Sequence, residues 1–144
     1  IDIISTQQKY QAYIDTLEKH QLPILTKTLD AYEFGIEAGK EIAQKALKNQ
    51  AIDAFFVSSD LTALGVLEEV KKRHYRVPEE IAITGFDNTI FSQLSEPALS
   101  SAEVNGFRLG YEGMHYILRR LKKEKTELEE SKLLETNYII RETS

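Results

Sequence analysis

The chain has 144 residues, of which 42% are hydrophobic and 28% are charged, a balance typical of a globular protein of about one domain. Its formal net charge of -5 argues against a surface that neutralises nucleic-acid phosphates, because such a surface needs clustered Lys and Arg without intervening acids. The sequence contains no cysteine, so disulfides and thiolate metal sites are excluded. We find no long apolar run and no secretory signal pattern, and therefore expect no contact with a membrane.

The first part of the chain predicts helices and strands in alternation. Apolar residues at helical spacing predict one helix at residues 6–20 and another around residues 39–47. The stretch "ILTKTL", which begins at Ile24, has the short alternating pattern of a strand. The stretch "IDAFFV", which ends at Val57, is almost continuously apolar, and such a run is typical of a strand covered on both faces.

The second part repeats this unit. A helix is predicted at residues 61–74, and "IAITGF" after it has the pattern of a buried strand. A further helix follows, then a charged stretch at residues 122–130, then the closing strand "LLETNYIIRE". The last helix has one apolar side, formed by Phe107, Gly110, Met114, Ile117, Leu118 and Leu121. The alternation predicts an α/β fold, an open parallel sheet with helices on both faces.

Polar residues directly follow the two apolar strands. Ser58, Ser59 and Asp60 come after "IDAFFV", and Asp87 and Asn88 come after "IAITGF". Ligands of open parallel α/β sheets bind beyond the carboxyl ends of the strands, so these side chains are candidates for a shared binding rim. The alternative is purely structural, with Ser59 or Asp60 capping the next helix and Asp87 forming a turn with Asn88. The two roles are compatible, and both stay open at this point.

A long ordered motif carries a family resemblance. The stretch "DAFFVSSDLTALGVLEEVKKRHYRVPEEIAITGFDNTIFSQLSEPALSSAEV" resembles the signature of the lactose and galactose repressor family, in which S-N-D, A-L-G, R-V-P-E-D-I, G-[FY]-D and P-x-L-T-T follow in this order. "GIEAGKEIAQKAL" and "NYIIRETS" are similar to two further family segments. The resemblance implies a two-lobed sensor with the type I periplasmic-binding-protein fold, which binds a small effector in the interlobe cleft and carries an N-terminal DNA-binding head.

The resemblance also implies a division of this chain. Residues 1–104 are expected to form the C-terminal lobe, with a crossover at residues 99–104 near its end. Residues 105–130 are expected to supply a helix that in the family returns to the first lobe, together with a charged linker. Residues 131–144 are expected to form the closing strand. The head and most of the first lobe are then outside the chain, so operator DNA is contacted only through that head; we expect a cytoplasmic homodimer without a cofactor.

The family's effector contacts are carried over where the motifs match. Asp87 lies where the family's acid accepts hydrogen bonds from sugar hydroxyls or a nucleobase, next to Phe86 of the G-F-D motif. Phe34, five residues before Gly39, lies where the family places an aromatic ring against the ligand, a role suited to the CH face of a sugar. The alternative for Phe34 is a core aromatic.

The chain departs from the family pattern at three positions, which are Ser59, Lys9 and Val104. Ser59 and Asp60 occupy the S-N-D motif, where the serine replaces an amide. Lys9 replaces the arginine that clamps the effector, and a lysine cannot form the bidentate fork. Val104 stands where many members have glutamine. We therefore expect a sugar-like effector that differs from those of the best-known members.

Other functions receive less support from the sequence. The chain lacks the common phosphate-binding and nucleophile motifs, and His20, His74 and His115 have no metal-ligand spacing and are expected at the surface. We therefore expect no enzyme. The basic residues of positions 119–123 are followed by acids, which is typical of a solvated helix end. A sugar-binding solute receptor of a transport system shares the expected fold and remains the alternative.

Overall fold

The computed structural model describes residues 4–24, 34–49, 51–122 and 133–144. In chain order, the elements are α1 (Ile4–Lys19), α2 (Ile36–Asn49), β1 (Ala54–Phe56), α3 (Asp60–Lys72), β2 (Ala82–Asp87), α4 (Ile90–Leu94), β3 (Ser100–Glu103), α5 (Gly106–Leu121) and β4 (Asn137–Ile139). The four longer helices and the strands β1, β2 and β4 agree with the sequence prediction. The strand expected from Ile24 onward lies almost entirely outside the described residues.

The described strands form one sheet in the order β1-β2-β3-β4. β1 pairs with β2 in parallel, and β2 pairs with β3 in parallel, as predicted for an open α/β sheet. The closing strand β4 runs antiparallel to β3, with Ala102 opposite Tyr138. The short helix α4 and the strand β3 were not predicted as elements, and β3 lies where a crossover was expected. Because β1 and β2 are parallel, their carboxyl ends lie next to each other at one edge of the sheet.

The core lies between α3 and the sheet. Its fully buried aliphatic side chains include Val66 and Val70 of α3 and Ile83 of β2. The inward face predicted for α3 is confirmed, because all four of its expected apolar residues are buried: Ala63, Val66, Leu67 and Val70. Burying one such side chain contributes about 1.5–3 kcal/mol. The core therefore fixes α3, and with it the polar residues at the N-terminus of α3, against β2.

The prediction that β1 is covered on both faces is wrong for the described structure. Phe56 is 47% exposed, Ala54 is exposed and Phe55 is half-buried. β1 is the edge strand of the described sheet and hydrogen-bonds only to β2 there. The ring of Phe56 stacks on Tyr13 of α1, with 5.8 Å between the ring centroids. The apolar run therefore contributes Phe56 to an exposed aromatic contact and Val57 to the core.

Helix α5 has the amphipathic pattern that the sequence predicts, but its apolar side is not buried by the described residues. No residue of α5 is buried. Phe107 is 85% exposed and Leu121 is 73% exposed. The rings of Phe107, Tyr111 and His115 stack on one another along the helix. Large exposed apolar surfaces in proteins often mark interaction sites, so the apolar side of α5 is a candidate interaction surface.

Helices α2 and α3 approach each other through two glycines. A Cβ atom added to Gly65 would lie 1.9 Å from the carbonyl oxygen of Ile36, and one added to Gly39 would lie 2.0 Å from that of Thr62. Both distances are far below van der Waals contact and both neighbours are backbone atoms. Only glycine therefore allows the two helices to lie this close.

Gly65→Ala is expected to destabilise the chain by about 1–3 kcal/mol, because α2 must move away from α3 to accept the methyl group. The matched control is Gly110→Ala in α5, where an added Cβ meets nothing within 4 Å and alanine should stabilise the helix by up to about 1 kcal/mol. Urea unfolding of both variants measures the difference. Equal free energies of unfolding would contradict the close packing.

Candidate functional site

A fully buried carboxylate lies at the carboxyl edge of the sheet. Asp60, the first residue of α3, is 0% exposed. Its Oδ2 accepts hydrogen bonds from the amide of Thr89 at 2.6 Å and from the hydroxyl of Thr89 at 2.9 Å. Its Oδ1 accepts a hydrogen bond from the hydroxyl of Ser101 at 2.6 Å. Asp60 therefore joins α3, β3 and the residues that follow β2.

This position differs from the sequence expectation, which grouped Asp60 with the effector contacts. A side chain with no exposed surface cannot touch a ligand in this conformation, so the structure places Asp60 behind the site. Gly85 of β2 makes this position accessible to the carboxylate, because a Cβ atom there would lie 2.4 Å from Oδ1 of Asp60. The glycine of the G-F-D motif is thus needed for the close approach of Asp60.

The last residue of β2 and the two residues that link β2 to α4 have an unusual backbone and are called here the rim turn (residues 87–89). Asp87 has φ 101° and Asn88 has φ 50°, both in the left-handed region that non-glycine residues seldom adopt. The amide of Asn88 donates to the hydroxyl of Ser101 at 3.0 Å, and its side-chain amide donates to Glu103 at 3.3 Å. These bonds give Asn88 a structural role, while Asp87 beside it is exposed.

Lys9 reaches the same edge of the sheet from α1. Its ammonium donates to the carbonyl oxygen of Ser58 at 3.1 Å and lies 3.6 Å from the centroid of the Phe86 ring. A cation over an aromatic face is held by the quadrupole of the ring. Lys9 and Phe86, both predicted from the family resemblance, are thus brought into contact.

Ser59 and Phe34 lie at the N-terminus of α3. Ser59 is the N-cap of α3, as the structural alternative predicted: its hydroxyl accepts from the amide of Thr62 at 3.4 Å and donates to the Thr62 hydroxyl at 3.0 Å. The same Thr62 hydroxyl accepts from the amide of Gly35 at 3.2 Å. Phe34, next to Gly35, is 60% exposed, so the alternative of a core aromatic is wrong.

An open groove of about 670 Å³ lies between α1 and the ends of β1 and β2. It is lined by Ser5, Gln8, Lys9, Ala12, Tyr13, Thr16, Phe56 and Phe86. Two of the predicted site residues, Lys9 and Phe86, therefore line it. The aromatic pair of Tyr13 and Phe56 was not predicted. The sequence contains one indication of this pair. Successive side chains of a strand point to opposite faces, so the two phenylalanines of "IDAFFV" cannot both face the core.

The charge environment of Asp87 combines three effects. Partial burial raises the pKa of its carboxyl above the usual value, and the neighbouring carboxylate of Asp60 raises this pKa further. The ammonium of Lys9 acts in the opposite direction and lowers the pKa of Asp87. Lys9 thus favours the ionised form of Asp87, the form that accepts hydrogen bonds only.

The described residues offer no cluster of His, Asp and Glu that could hold a metal ion. The three histidines, His20, His74 and His115, are exposed as predicted. Within the same ranges of the chain, no helix has both the length and the apolar character needed to cross a membrane.

Comparisons with known proteins agree with this geometry. The sequence matches the periplasmic binding protein-like domain over residues 5–144. The transcriptional repressor CytR of Escherichia coli (strain K12) is 29% identical over 134 residues, which cover 92% of this chain and 39% of CytR. The structure of the transcriptional regulator CelR in complex with cellobiose has a TM-score of 0.86 at 27% identity and covers 99% of this chain and 44% of that one. The lac repressor dimer bound to operator, at 18% identity and a TM-score of 0.86, is similar in fold alone.

The chain belongs to the family of periplasmic binding protein-like domains. Its relatives in the lactose repressor family, CytR among them, are transcriptional repressors, which confirms the resemblance in the sequence. They are not enzymes, and they do not favour the alternative of a solute receptor. The chain spans less than half the length of these relatives.

Lys9→Met is expected to raise the pKa of Asp87 further, because it removes the positive charge that opposes burial and Asp60. The matched control is Lys40→Met on α2, whose ammonium pairs with Glu37 and Glu68 and should leave Asp87 unchanged. The measurement is a pH titration of the Asp87 carboxyl carbon by NMR in each variant. A lower or unchanged pKa in Lys9→Met would show that Lys9 does not act on Asp87.

Proposed function

We propose that this chain is the effector-sensing region of a transcriptional regulator, in which a small sugar-like molecule binds at the rim formed by Asp87, Phe34 and Lys9. The observation that carries the proposal is the rim turn, in which Asp87 lies at the surface in a left-handed conformation. Backbone conformations of this uncommon kind cluster at ligand-binding and active sites, where the surrounding structure holds them. The cellobiose complex of the related CelR supports a sugar as the class of ligand.

The chemistry of the rim suits a polyhydroxylated ligand. An ionised Asp87 accepts hydrogen bonds from hydroxyl groups, and charge-assisted bonds of this kind are the strong ones. The exposed ring of Phe34 offers a flat apolar face for the CH groups of a sugar ring. Phe86, Tyr13 and Phe56 add an aromatic floor in the groove beside it. Ser59 contributes a hydroxyl that is already bonded to Thr62 and therefore serves mainly to orient the N-terminus of α3.

The exposed apolar side of α5 indicates how the region fits into a complete regulator. We propose that residues 1–104 form the C-terminal lobe, and that α5 packs against the other lobe in the complete protein. The ligand then lies between the lobes, and binding alters operator contact by an N-terminal head. The regulator is proposed to act as a cytoplasmic homodimer, by comparison with the lac repressor dimer on its operator.

Asp87→Asn is expected to weaken effector binding by about 1.5–3 kcal/mol, the contribution of a hydrogen bond to a charged group, with little change in stability. A thermal-shift screen of the complete protein against sugars, sugar phosphates and nucleobases identifies the ligand, and calorimetry then compares the variant with the wild type.

The matched control is Asp53→Asn. Asp53 is an exposed acid directly before β1, at the end of the strand that is opposite to the rim. The control should bind as the wild type does. Unchanged affinity in Asp87→Asn would refute the role of this acid, and the absence of any ligand in the screen would refute a small-molecule sensor of these classes.

A further inference from the structure

A cation from the C-terminal segment lies behind the rim turn. Nη2 of Arg141 donates to Oδ1 of Asn88 at 2.6 Å. Nη1 of Arg141 donates to the carbonyl oxygen of Leu99 at 2.7 Å and to the hydroxyl of Ser92 at 3.3 Å. The guanidinium therefore spans the rim turn, α4 and the start of β3. Leu99 and Ser92, which supply these two acceptor oxygens, are both fully buried.

The backbone around Arg141 is anchored as firmly as its side chain. The amide of Arg141 donates to the Ser100 hydroxyl at 2.8 Å. Two residues further on, the fully buried Thr143 donates its hydroxyl to the carbonyl oxygen of Ile83 at 2.7 Å and accepts from the amide of Ser100 at 2.9 Å. These bonds fix the C-terminal segment to β2 and β3. The backbone of Arg141 is thus fixed, and its side chain donates to Asn88 from this fixed position.

Asn88 needs such a constraint. Its φ of 50° is uncommon for a residue other than glycine and persists where the surroundings determine it. The side-chain amide is held at both ends, by Arg141 at its oxygen and by Glu103 at its nitrogen. Because Asp87 precedes Asn88 directly, a fixed Asn88 restricts the backbone from which the Asp87 carboxyl projects.

We propose that Arg141 is a positioning residue, which holds Asn88 so that Asp87 is presented at the rim. Its functional meaning rests on the proposed role of Asp87 in effector binding. The guanidinium suits this task because its planar fork donates in two directions at once, toward Asn88 and toward Leu99, whereas an ammonium is a single point. The C-terminal segment thereby controls the geometry of a site built from residues more than 50 positions earlier in the chain.

The test compares Arg141→Gln with the wild type in the complete protein and needs no ligand. Hydrogen exchange, followed by mass spectrometry of peptides that cover residues 87–91, should show the amides of Asn88 and Thr89 exchanging at least about tenfold faster in the variant. The exchange of α3 amides should change much less. The matched control is Arg76→Gln, which removes an exposed arginine paired with Glu80 and should leave the rim turn protected.

An NMR titration of Asp87 separates positioning from a simple charge effect. Removal of a nearby positive charge would raise the pKa of Asp87, whereas release of the rim turn exposes the carboxyl to water and lowers its pKa toward the usual value. We expect the pKa to fall in Arg141→Gln. Arg141→Lys keeps the charge but not the fork, and it should behave as Arg141→Gln does.

Several outcomes would overturn the proposal. These are unchanged exchange at the rim turn, equal acceleration in α3, a raised pKa of Asp87, or wild-type behaviour of Arg141→Lys. If Arg141→Gln does not fold, Asn88→Gly removes the same contact from the other side and tolerates the positive φ. The same signature is then required of that variant. None of these measurements depends on effector binding, so they fail separately from the calorimetry of Asp87→Asn.

Discussion

The fold around the site depends on one buried carboxylate. A charge without access to water is costly unless hydrogen bonds compensate it, and Asp60 is compensated by three, from Thr89 and Ser101. Because these donors lie after β2 and in β3, the carboxylate fixes the N-terminus of α3 to two other elements. Gly85 leaves the space in which it fits. The two bonds to Thr89 also anchor the last residue of the rim turn.

Rigid support below the rim contrasts with open surfaces above it. Hydrogen bonds with Asp60 and Arg141 support the rim turn, whereas Lys9 and Phe86 line an aromatic groove that is open to solvent. A binding site gains affinity when its polar groups are fixed before the ligand arrives, because little ordering remains to be done on binding. The apolar side of α5 is exposed in the same way. Both features are consistent with the proposed role of this region as one wall of a ligand site.

Sequence reasoning predicted the parts of the fold that local patterns determine. The helical periodicity of α1, α2, α3 and α5 was sufficient to place all four, and the apolar run of β2 identified that strand. The segment from α4 to β3 has no comparable period. Its structure depends on contacts such as those of Ser92 and Ser100 with Arg141, more than 40 positions away in the chain, so no local pattern could reveal it.

The same limit applies to the site. Family motifs identified Asp87, Phe86 and Lys9, and the structure brings the last two into contact. The motif could not distinguish an exposed Asp60 from a buried one, because its partners lie 29 and 41 positions further along the chain. Arg141 was read only as part of a closing strand. A motif records which residues occur together, whereas burial and bonding partners follow from tertiary packing.

The free energy of unfolding of Asp60→Ala tests the central role of this carboxylate most directly. Its removal leaves the half-buried donors of Thr89 and the buried hydroxyl of Ser101 without this acceptor, and unsatisfied groups of this kind cost about 1–3 kcal/mol each. Denaturation with urea should therefore show a loss of about 3 kcal/mol or more, while Asp53→Ala, at an exposed acid, should stay within about 0.5 kcal/mol of the wild type. Equal stability of the two variants would contradict the account.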